Sequence, residues 1–136
     1  MSSITPVIVD VTEKNASGVS NGLTVGQYRI TWSTVTENDT CVSVPVSQYP
    51  VKSLHVLGTF GGATVVVQGS NEPMYTADGS CHFVSLRNAA HSAISIATNA
   101  DLEEILESVQ RIRPSASGGS GQSLTFVLLC STPARR

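Results

Sequence analysis

The groups from which this 136-residue chain could build a reaction centre are three histidines, ten acids, three cysteines and many hydroxyls. His55, His82 and His91 share no i,i+4 or His-x-Glu spacing of the kind that presents two ligands to one metal ion, so no metal site is expected. A serine nucleophile on a sharp strand-to-helix turn would carry Gly-x-Ser-x-Gly, and that pattern is missing. Glycoside hydrolysis needs two facing carboxylates. Asp10, Glu13, Glu37, Asp39, Glu72 and Asp78 fall in polar stretches that read as loops, and Glu103, Glu104 and Glu107 read as a solvated face. Gly118-Gly119-Ser120-Gly121 has the glycines of a phosphate cradle, but it lacks the lysine and leads into a β-like run. Trp32 alternates with Ile30 and is expected in the core rather than stacked on a sugar or base. The expectation is a protein with no catalytic residues and no cofactor: not an enzyme.

The elements that would position such groups are those of a single domain. Charged residues make up 13% of the chain against about 25% in an average globular domain, and the net charge of −2 leaves no basic footprint for nucleic acid. No run reaches the ~18 apolar residues of a membrane helix, and the start of the chain lacks the pattern of an export signal. Synthesis in a cytoplasm is therefore expected, with Cys41, Cys81 and Cys130 as reduced thiols, at least two of them buried. Residues 1–26 read as a polar arm, with an edge strand possible near Val7–Val11, and residues 27–136 as one β domain.

From Tyr28 onward, short β-like runs recur about every ten residues. Two of them flank Gly61-Gly62, which predicts a tight hairpin with positive φ at both glycines. In that register Leu57 faces Val66, with His55, Gln68, Thr59 and Thr64 around them. Such an apolar pair in an uncharged patch is a candidate protein–protein contact, and a two-fold association is the favoured form. Leu102, Ile105, Leu106 and Val109 stand at helical spacing behind Asn99 or Asp101 as a cap, which predicts one short helix. The fold class is all-β: an antiparallel, jelly-roll-like β-sandwich of about seven to nine short strands, with that helix in a connection.

Gly58-Thr59-Phe60-Gly61-Gly62-Ala63-Thr64-Val65-Val66-Val67-Gln68-Gly69-Ser70-Asn71 resembles the hairpin of small tailed-bacteriophage virion proteins. Leu106 through Arg111-Ile112-Arg113-Pro114, then Gly118-Gly119-Ser120-Gly121 and Leu124–Leu129, is similar to their closing segment. The family resembled is the head decoration, or cement, proteins. That resemblance implies a non-catalytic sandwich on the outer capsid surface, with the major capsid protein as partner and self-association on the shell. The chain departs from the pattern after Ser70-Asn71, where Glu72-Pro73-Met74-Tyr75 replaces an Asp-Gly turn and a Trp. The alternatives are another phage virion component (tail, fibre or baseplate) or a carbohydrate-binding type of sandwich, which would show a platform of exposed aromatic rings.

Overall fold

The computed structural model describes residues 3–10, 27–37, 39–47, 49, 51–73, 75–88, 90–97, 101–105 and 107–131. Twelve strands follow one another: β1 (Ser3–Ile4), β2 (Val7–Asp10), β3 (Gln27–Val35), β4 (Thr40–Cys41), β5 (Val44–Pro45), β6 (Val51–Thr59), β7 (Thr64–Ser70), β8 (Val84–Ser85), β9 (Ser95–Ile96), β10 (Asp101–Ile105), β11 (Arg111–Ser117) and β12 (Ser123–Ser131). Seven of them are four residues or longer, and these are the ones with alternating or β-branched sequences.

Two antiparallel sheets pack face to face. One has the strand order β10-β6-β12-β3-β2; the other runs β5-β11-β7-β8, with β9 also on β7. The period-two alternation of each long strand decides which side faces in. Ile30, Trp32, Leu54, Val56, Phe126 and Leu128 come from the first sheet. They meet Val65, Val67, Ile96 and Ile112 from the second in one continuous core. Trp32 is fully buried, as expected, and its indole N–H donates to the Val42 carbonyl at 2.9 Å. Cys41, Cys81 and Cys130 are free thiols, with Cys41 and Cys130 buried. Burial pushes the Cys41 thiol up to about 12 and the Cys130 thiol up to about 11. The expected edge strand is β2, at the rim of the first sheet, while residues 11–26 of the predicted arm lie outside the described residues.

Two expectations are corrected. Residues 101–105 form no helix: they are β10, paired antiparallel with β6 from Asp101↔Val56 to Ile105↔Lys52. Ile105 points into the core and Leu102 outward, because the open edge of β6 offers ladder partners that an isolated helix of two or three turns lacks. The one helical turn among the described residues is a 3-10 turn at Asp78–Ser80.

The Gly61-Gly62 turn forms as its chemistry demands. Gly61 has φ 58° and Gly62 φ 90°, and the Ala63 N–H donates to the Phe60 carbonyl at 2.9 Å. The flanking strands do not pair, however. β6 belongs to one sheet and β7 to the other, so the turn is an arch that crosses the sandwich. It locks against the second crossing, between β11 and β12. The Ser120 N–H donates to the Gly61 carbonyl at 3.0 Å, and a Cβ on Gly61 would lie 2.2 Å from the Ser120 carbonyl oxygen. Gly119 is equally constrained, with the Ala63 nitrogen 2.6 Å from where its Cβ would be. Only glycine lets the two turns approach this closely.

Candidate interaction surface

Because β6 and β7 lie in different sheets, the predicted contact patch is divided between two outer faces. His55, Leu57 and Thr59 belong to the first sheet; Thr64, Val66 and Gln68 belong to the second. Leu57 is opposite Thr125, and Val66 lies between Ser115 and Ser95. The facing Leu57–Val66 pair does not exist. Alternation along a strand is the same for an arch and for a hairpin, so the local pattern could not tell them apart.

The outer face of the second sheet is partly covered. The chain between β7 and β8, residues 71–83, folds back over the ends of β5, β11 and β7 and is held there by Arg111. This side chain is 1% exposed. One terminal nitrogen donates to Asp78 Oδ1 at 2.9 Å and lies 3.0 Å from Cys81 Sγ; the other donates to the carbonyls of Thr76 and Pro73. Asp78 is shared with Ser43, accepting its N–H at 2.8 Å and its hydroxyl at 2.7 Å. The Asn71 side chain adds a bond from the Gln110 N–H, and Ser70 Oγ accepts the Glu72 N–H. Farther along β11, the Arg113 guanidinium sits 3.8 Å above the Phe83 ring while its Nε donates to Gln68 Oε1 at 3.0 Å.

Asp78, read from sequence as a loop acid, is thus the anchor of a strap. Arg111 is its buried counter-ion. Their separation of 33 residues leaves no local signal that could have paired them. Both terminal nitrogens of Arg111 are engaged by protein atoms, while its Nε is buried without a hydrogen-bond partner; beside it lies an open cleft of about 520 Å³ lined by Thr40, Ser43, Asp78 and Arg113. At the far end of the strap, Glu72 accepts the His82 backbone N–H and contacts its ring. These bonds hold the Glu72 carboxyl below its ordinary value.

The outer face of the first sheet has no such cover among the described residues. Its cross-strand rows can be read directly from the register. One row runs Leu102, His55, Val127, Thr31, Val7; the next runs Glu104, Ser53, Leu129, Arg29, Val9. Leu57 and Thr125 continue the surface on one side. Leu102 is 55% and Val7 63% exposed, while Leu57, Val127 and Leu129 are half-buried. The sequence reading found His55 and Leu57 of this face. It missed Val127, Leu129, Leu102 and Val7, since only the strand order brings them together.

His82 and His91 are exposed, and no cluster of three or more metal-binding side chains occurs among the described residues. Tyr75 is the one exposed aromatic ring among the described residues, so the second ring of a sugar-binding platform is not found there. No helix among them is long and apolar enough to cross a membrane. Comparison with known proteins returned no matching family model, no matching curated protein and no matching solved structure.

Proposed function

We propose that this chain is a non-catalytic structural protein of a bacteriophage virion, one that binds the outer surface of the capsid and stabilises it. The major capsid protein is its principal partner, and neither nucleic acid nor membrane is involved. The observation that carries this reading is the meeting of the two segments similar to decoration proteins. Gly58–Asn71 and the stretch from 106 to 129 contribute the two interlocked glycine turns and three of the strands they join. The similarity therefore falls on one spatial unit rather than on two unrelated loops.

The surfaces support the same reading. Thr64, Ser115, Ser117 and Ser95 surround Val66 with small, uncharged side chains on the second sheet's outer face, with Gln68 and the Arg113 bonded to it beyond them. Surfaces of this kind suit many weak, equivalent contacts on a repeating lattice, where charge repulsion between neighbours would be penalised.

Co-sedimentation tests it. The full chain, mixed with shells assembled from the major capsid protein of the same phage, is expected to pellet with them and to raise the temperature at which they disassemble. A chain left wholly in the supernatant, with shell stability unchanged, overturns the proposal.

A further inference from the structure

We infer that the uncovered face of the first sheet joins two copies of this chain, related by a two-fold axis running along the strands between β6 and β12. The inference comes from where the face places its charges. Among its described side chains only Arg29 and Glu104 are charged, and both are exposed. Neither has an ionic partner among the described residues. They occupy one cross-strand row, Glu104–Ser53–Leu129–Arg29, three strand spacings or about 14 Å apart.

A two-fold axis along the strands, midway between β6 and β12, reverses that row onto itself. Each copy's Arg29 then lies over the other's Glu104, and each Leu129 over a Ser53. In the neighbouring row Val127 lies over His55, and Leu102 over Thr31. Leu57 and Thr125 close the patch on one side. The in-plane axis at right angles keeps each strand over its own copy and so sets like charges against each other. Charge therefore selects one of the two axes that stack this face on itself with its strands aligned. Stacked strands then run nearly aligned, the usual geometry of sheet on sheet.

The two-fold overlaps four strands, β10, β6, β12 and β3, over about seven residues, a footprint on the order of 400 Å² per copy against about 800 Å² per partner in a standard interface. The dimer expected is reversible, not obligate. It does not depend on the capsid reading: loss of shell binding with intact self-association would refute only that proposal, and the converse would refute only this one.

Charge exchange provides the test. Sedimentation equilibrium of the full chain, from micromolar to near-millimolar concentration, is run on the native protein, Glu104→Arg, Arg29→Glu and the double exchange. The native chain is expected to dimerise. Each single variant should weaken the dimer about tenfold, and the double exchange should restore it to within about threefold, since exposed pairs contribute modestly and repulsions replace attractions at two symmetric places. Leu129→Lys, at the centre of the face, should leave a monomer whose melting temperature is close to native, which separates the interface from a folding defect. A native chain monomeric throughout, a dimer indifferent to either single exchange, or a double exchange as weak as the singles overturns the inference.

Discussion

The two outer faces of this sandwich are built from strands of similar length and alternation, yet they end differently. On the second sheet a thirteen-residue connection, 71–83, is folded down over the strands by a buried arginine with four protein contacts, to Asp78, Cys81, Thr76 and Pro73. On the first sheet nothing described lies over Leu57, Val127 and Leu129. The difference originates in one residue. Arg111 stands outward on β11, beside Ser70 and Pro45, and a buried guanidinium must be surrounded by acceptors or it destabilises the fold. The first sheet carries no inward-held charge on its outer side, so nothing there demands a cover. Its outward rows are apolar or neutral apart from Arg29 and Glu104.

The largest expected effect tests the core that both faces share. Cys41 and Cys130 hold their protons up to about 12 and about 11, whereas an unfolded thiol releases its proton near 9.0. Between pH 9 and 11 the folded state binds more protons than the unfolded one, so stability falls as pH rises, at roughly 1.4 kcal/mol per thiol per pH unit. Below pH 9 these groups contribute no slope. Lys52, buried with its ammonium donating to the Tyr49 carbonyl at 2.9 Å, acts in the opposite sense. Burial lowers its value from 10.5, so its contribution rises with pH until 10.5 is reached. Urea titrations at stepped pH should show a steep alkaline loss, about halved in Cys130→Ala and steepened in Lys52→Met.

The strap comes next. Asp78→Ala leaves Arg111 buried without its counter-ion and removes both bonds to Ser43, at an expected cost of about 3 kcal/mol. Hydrogen exchange should rise across 71–83 while β3 and β12 stay protected. Uniform loss of protection would show that the strap and the sandwich are a single cooperative unit.

Arg113→Gln removes the stacking on Phe83 and the bond to Gln68, with about 1 kcal/mol expected from equilibrium unfolding. Smaller still is Leu129→Ser on the bare face. Its side chain is already partly in water, so about 0.5 kcal/mol is expected, far below the 2–5 kcal/mol typical of a core leucine. A core-sized loss at Leu129 would mean that the face is covered after all.

What the sequence made legible was local. Alternation in Tyr28–Trp32 located β3 and its buried tryptophan; Gly-Gly at 61–62 located a turn with positive φ at both positions. What it left dark was pairing between distant segments. A hairpin and an arch make the same demand of Phe60-Gly61-Gly62-Ala63, and only the choice of neighbours, β12 for β6 and β11 for β7, separates them. The glutamate-rich 101–107 stretch is helix-favouring in isolation, but edge pairing with β6 outweighs that weak preference. The Arg111–Asp78 pair was hidden for the same reason: ion pairs over 33 residues leave no spacing to read.

The position of β12 has a consequence for how the chain is made. It is the last strand in order, yet it lies at the centre of the first sheet, with β6 on one side and β3 on the other. About 64 residues separate the end of β6 from the start of β12, which at ~5–20 residues per second is roughly 3–13 s of synthesis. Throughout that interval β3 and β6 have edges without their eventual neighbour, the condition in which nascent chains on one messenger pair with one another. The sheet closes only once β12 has left the ribosome, so its completion waits on the synthesis of everything between β6 and β12.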